Sequence, residues 1–200
     1  MLLAPAAALV LAGCAHDPTV AAKVDGQSIP VSDVSVMAKF LCASAASQSA
    51  QGQTAVPLTQ VNTIAVTYLV GAKALADVAA VHHITIPTVQ GSAPASLLAT
   101  LPASERTRAR ELVDEVDASL NFVATRLGAQ NGQQMLSALA SLISDEVKAG
   151  KLESNPEYPT VAGAASGSIS TAVSAAAKSA ASAQPSSAYL AALPAGQKCG

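Results

Sequence analysis

A mainly helical domain with a short two-stranded β element bracketing the helices is the fold class the sequence predicts, and three observations predict it. Long segments carry apolar residues at three- and four-residue steps. By count 45 of the 200 residues are Ala, the best helix former, while only 12 % are charged. Extended, turn-bearing stretches occur at both ends of the helical region, around Val20 to Ile29 and Leu152 to Pro159. The size allows one domain with a real core. A formal charge of -2 and 2 % aromatic residues with no Trp argue against nucleic acid as a partner, since neither a basic surface nor a base-stacking platform is available.

In chain order, Leu2 to Ala12 form an apolar run interrupted by Pro5, closing on Leu11-Ala12-Gly13-Cys14. The run is too short for the roughly 20 residues of a bilayer span and fits a secretory signal. The tetrapeptide has the pattern of a bacterial lipobox, so residues 1–13 are expected to be a signal peptide. Cys14 is then the lipid-attachment site and mature N-terminus, and residues 14–19 a link to the membrane anchor. No Lys or Arg precedes the run, which suggests a translation start upstream of Met1.

Val20 to Ile29 reads as a short strand or two around Asp25-Gly26, with Val20 to Val24 pairing the later segment Leu152 to Ser154. Pro30 and Ser32-Asp33 open a helix whose inward face is Val31, Val34, Ala38, Leu41 and Cys42. Ser44 to Thr54 lacks periodicity and is expected to be a loose connection. Leu58 to Val81 has the strongest amphipathic pattern, through Val61, Ile64, Ala65, Tyr68, Leu69, Ala72 and Leu75. It stops at His82-His83, followed by extended Ile84-Thr85-Ile86-Pro87 and a short helix over Ser96 to Leu101, broken by Pro102. From Ser104, Val113, Val116, Leu120, Val123 and Leu127 define a further helix. Asn131 to Lys148 repeats the pattern with Met135, Leu139, Leu142, Ile143 and Val147, ending before Gly150. Residues 160–200 are rich in Ala, Ser and Gly and are expected to form a disordered or weakly helical tail, with Tyr189, Leu190 and Leu193 pinning a final turn.

Cysteine arithmetic adds one expectation. If Cys14 carries lipid, Cys42 and Cys199 remain as an even pair in an exported, oxidising setting. They form either a disulfide, or a core residue and a free thiol.

Motifs for nucleotide binding, nucleophilic catalysis or zinc are missing from the sequence, so neither enzymatic activity nor a cofactor is expected. Adjacent His82 and His83 point to different sides of a helix and suit a polar helix end better than a metal site. Asp114, Glu115 and Asp117, like Asp145 and Glu146, read as solubilising charge rather than paired catalytic carboxylates. Arg106, Arg108 and Arg110 make a small basic patch, read either as a contact for an anionic partner or as partners of the neighbouring acids.

The order of these signals resembles a known family. Val24-Asp25-Gly26 with Ile29, the Ser32-Asp33 helix start, the long helices, His83-Ile84-Thr85-Ile86-Pro87 and the return through Asn155, Pro156 and Tyr158 are similar to the N-terminal domain of SurA-type periplasmic chaperones. The match extends to SurA-N-like lipoproteins of high-GC Gram-positive bacteria, and spans about Ala21 to Tyr158. Glu157 stands where that family has Arg, and Pro159 where it has Gly. The resemblance implies a helical domain over residues 20–159 that acts as a chaperone-like module for exported proteins. It implies no prolyl isomerase, whose domain has no room in this chain. The functional expectation is a holdase anchored by lipid to the outer face of the cytoplasmic membrane, binding exported unfolded polypeptides, with Tyr68, Leu69, Leu120 and Phe122 as candidate client cradle or plain core. The alternative is a non-catalytic envelope scaffold with one specific partner.

Overall fold

The computed structural model describes residues 17–49, 55–127, 132–155, 157–158 and 187–199. The signal segment with Cys14, Pro156, and residues 159–186 of the expected tail lie outside the described residues. Five helices and two small antiparallel sheets make up the main body: β1 (Val20–Val24), β2 (Gln27–Pro30), α1 (Val31–Ser49), β3 (Val56–Pro57), α2 (Leu58–Val81), α3 (Ala95–Thr100), α4 (Arg106–Leu127), α5 (Gly132–Lys148) and β4 (Leu152–Ser154). After residue 186 follow α6 (Ser187–Ala192), a 3-10 turn at Ala195–Gln197 and β5 (Lys198–Cys199).

The first sheet has strand order β2-β1-β4, all antiparallel. Asp25 and Gly26 both take positive φ, 46° and 77°, the conformation a two-residue hairpin needs to match strand twist. The expected pairing of Val20 to Val24 with Leu152 to Ser154 is present as Ala22↔Ser154, Lys23↔Glu153 and Val24↔Leu152. The β element is therefore three-stranded rather than two-stranded. A register irregularity between Val20 and Ala22 leaves Ala21 and Ala22 both buried, at 0 % and 2 % exposure. Strict alternation would turn one of them outward; an extra residue in the strand removes that constraint.

Helix α2 is the hub, packed against α1, α4 and α5. It is long and apolar enough to cross a membrane, yet 56 % of its most apolar 18-residue window is buried inside the fold, as in a core helix. Its end at His82-His83 has a physical form: His83 has φ 53°, and the Ile84 amide donates to the Ala79 carbonyl at 2.8 Å. This left-handed stop satisfies the last carbonyls. Helix α5 stops the same way, with Gly150 at φ 69° and the Lys151 amide donating to Glu146 O at 2.9 Å.

Two expectations need correction. Helix α1 continues through Ser44 to Ser49, where a loose connection was expected. Leu41, Cys42 and Ala45 pack on the core, and Ser47 Oγ bonds back to the Ser44 carbonyl at 2.7 Å, so burial and Ala propensity carry the helix through polar sequence. Further, the last stretch of the expected disordered or weakly helical tail, Ser187–Cys199, docks on the main body beyond the single final turn expected at Tyr189, Leu190 and Leu193. Lys198 and Cys199 pair with Pro57 and Val56, and Leu190 and Cys199 are buried at 7 % and 4 % exposure.

Candidate functional site

Helix α1, the start of α2 and the α3–α4 corner enclose an open apolar groove of about 550 Å³. Val34 and Ala38 of α1 line it with Leu58 from α2, Leu101 and Pro102 at the corner, and Tyr158 beyond β4. Asn155 sets that last side chain in place. It is 8 % exposed, its Nδ2 donates to Val20 O at 3.4 Å, its Oδ1 accepts from the Glu157 amide at 3.0 Å, and its carbonyl accepts from the Tyr158 amide at 2.9 Å. The Asn side chain thus imitates a backbone turn and ties it to β1. At the groove's rim Lys39 pairs with Glu105 at 2.7 Å.

Of the other motif residues, Val24 is buried at 1 % exposure, and Asp25 and Gly26 form the hairpin turn. Cys42 and Cys199 are joined by a disulfide, with Cα atoms 4.9 Å apart; Cys42 also lines the groove.

Tyr68, Leu120 and Phe122 all pack on a small cluster of Leu75, Val123 and Leu139, but Tyr68 and Phe122 open onto separate recesses. Leu69 is buried at 4 % exposure. Leu120 bridges that cluster and the main core. Tyr68 lines a separate recess of about 220 Å³ with Val61 and Ile64, where burial first and the Asp117 charge second push its phenol pKa up. Phe122 lines another, of about 420 Å³, with the Arg126 guanidinium 5.7 Å from its ring centre. Helical spacing placed these residues toward the interior but did not reveal which neighbour each would meet.

The arginines separate as well. Arg106 donates to the Leu101 and Ala99 carbonyls, both at 3.0 Å, closing the end of α3. Arg108 grips Asp33 of α1 with two nitrogens, at 2.9 and 2.6 Å, and Glu111 with a third contact at 2.9 Å. The Asp33 hydrogen bond is the main reason the guanidinium stays even more firmly protonated than usual. Sequence reading assigned Asp33 only to a helix start; its partner 75 residues away has no local signal.

The acidic residues are likewise engaged. Asp114 accepts from the Gly91 amide at 3.1 Å and from the Ser92 amide and hydroxyl at 3.0 and 2.8 Å. Burial opposes its ionisation, but these bonds outweigh that and hold it below the ordinary carboxylate range. Glu115 pairs with Lys73 at 2.8 Å, and Asp145 with Lys148 at 3.2 Å. A denser cluster was not foreseen: Asp77 of α2 accepts from Lys151 Nζ at 2.6 Å, beside Asp25 of the hairpin and Glu146 of α5. The Lys151 hydrogen bond chiefly holds Asp77 low, whereas burial chiefly pushes Glu146 up. No group of three or more His, Cys, Asp or Glu suited to hold a metal occurs among the described residues. The groove can shelter an apolar chain segment and the charged clusters join elements.

Comparison of the chain with family models, with curated proteins and with solved structures finds no match in any of the three.

Proposed function

We propose that this protein is a lipid-anchored, extracytoplasmic, non-catalytic holding chaperone for exported polypeptides, built on a SurA-N-like helical domain. The observation that carries the reading is the open apolar groove between α1, the start of α2 and the α3–α4 corner. Its volume accommodates a few apolar side chains of an extended segment, and its binding would be weak and driven by buried area. The Leu11-Ala12-Gly13-Cys14 pattern and the disulfide between Cys42 and Cys199 support an oxidising location outside the cytoplasm.

The test uses the full oxidised chain carrying Cys14→Ser and follows light scattering of two unrelated unfolding proteins, with an inert Ala-rich helical protein as control. Suppression of both at near-stoichiometric ratios is expected, with loss of that effect in Ala43→Trp, which fills the groove from a half-buried position on its wall. Scattering no lower than in the control would overturn the holdase reading and leave the single-partner scaffold to be sought by crosslinking in intact cells.

A further inference from the structure

Three carboxylates and one ammonium meet where the hairpin, α2, the end of α5 and the start of β4 converge. Lys151 Nζ is committed to Asp77 at 2.6 Å, and the Asp77 side chain is 13 % exposed. The Asp25 amide donates to the Lys151 carbonyl at 2.9 Å, fixing the turn to the chain entering β4. Glu146 lies beside them at 6 % exposure, and its Oε2 is sealed from solvent with no hydrogen-bond partner among the described residues.

We infer that Glu146 is a proton-operated latch that fastens α5 to the three-stranded sheet when protonated and loosens the β1–β4 joint when ionised. A buried carboxylate oxygen without a donor is costly when it carries charge, whereas the protonated acid is neutral and escapes most of that cost. Ionised, it leaves two negative charges in the cluster uncompensated, since among the described residues Lys151 is the one cation facing three carboxylates there.

The neighbouring cations are placed elsewhere: Lys148 on Asp145 of the same helix, Lys73 on Glu115 of α4, and Lys23 near Glu153 of β4 at 4.0 Å. Burial raises the Glu146 pKa first; Lys151 opposes that rise, while Asp77, Asp25 and Asp145 reinforce it. The folded chain therefore binds this proton more tightly than the unfolded chain, and stability falls as pH rises from the ordinary Glu range through the raised value. Asp77 works in the other direction: its lowered pKa gives stability that is lost as pH falls below the ordinary Asp range. The joint is tightest in mildly acidic solution. The inference stands whether or not the groove binds polypeptide.

The experiment is amide exchange on the purified full chain at about pH 5 and about pH 8, expressed as protection factors to remove the intrinsic pH dependence, with a carbon-detected titration of Glu146 assigned from Glu146→Gln. Protection of the Asp25 and Asn155 amides, which donate to Lys151 O and Ala21 O, is expected to fall at the higher pH while amides in the core of α2 keep theirs. Glu146→Gln is expected to abolish that fall. Equal protection at both pH values, or a Glu146 midpoint within the ordinary carboxylate range, would overturn the latch. Should Glu146→Gln not fold, assignment through the backbone of the unsubstituted chain gives the same midpoint and the same decision.

Discussion

The two sheets do the same topological work by different means. Each joins segments distant in sequence: β1 to β4 across the whole helical region, and β3 to β5 from the first helical connection to the end of the chain. The three-stranded sheet has a hairpin, a second ladder and an inner face of Ala21, Ala22, Val24 and Ile29, all at 2 % exposure or less. The two-stranded sheet has only two residues per strand, too few to hold independently, and there the Cys42–Cys199 disulfide takes over. One fastening is thus built from apolar burial, hydrogen bonds and a titrating cluster, the other from a covalent bond. The first should respond to pH and to core mutations, and the second to reduction.

Cys199→Ser should give the largest effect. The bridge spans 157 positions, and the chain-entropy account assigns about 5 kcal/mol to constraining so long a loop. Denaturant unfolding should report that loss, and the Cys199 and Val56 region should lose exchange protection while β1 and β4 keep theirs. Equal loss of protection in both sheets would show that the two fastenings are one cooperative unit. Ile29→Ala should destabilise by about 3 kcal/mol, the usual range for truncating a fully buried aliphatic side chain, and should act in reverse order, exposing β1 and β2 amides while the disulfide stays resistant to mild reductant. The smallest effect, about 1 kcal/mol, is expected for Gly26→Ala, because φ of 77° strains any residue with a Cβ. Space is not the issue there, since nothing lies within 4 Å of the added atom, so a cost near zero in thermal unfolding would show that the turn relaxes rather than directs the hairpin.

Gly71 offers a contrast in what sequence conceals. Within the apolar pattern of α2 it reads as a mild flaw in a helix, yet a Cβ there would meet Leu139 Cδ2 at 2.8 Å. The gap lets α5 approach α2. That close approach depends on which helix crosses at that point, and periodicity carries no such information. The same holds for Asp33 and Arg108, and for Asp25, Asp77, Glu146 and Lys151, whose members are scattered over 127 residues in number and meet only in three dimensions. The groove is similar: Val34 and Ala38 were legible as inward-facing residues, but their partners Leu58, Leu101, Pro102 and Tyr158 come from helix ends, corners and linkers.

By itself the sequence determined the helical class, the boundaries of α2, α3 and α5 to within a residue or two, the hairpin at Asp25-Gly26, and the return of Leu152 to Ser154 to the first strand. These follow from local causes: a repeat of 3.6, a turn that demands positive φ, a proline or glycine stop. Tertiary structure alone decided that α1 runs through polar residues to Ser49, that Lys198 and Cys199 are sewn to the segment before α2, that Tyr68 and Phe122 open onto separate recesses, and that Glu146 meets Lys151, Asp77 and Asp25. Those outcomes depend on distances between elements, and a pattern along one chain fixes faces, not the partners they meet.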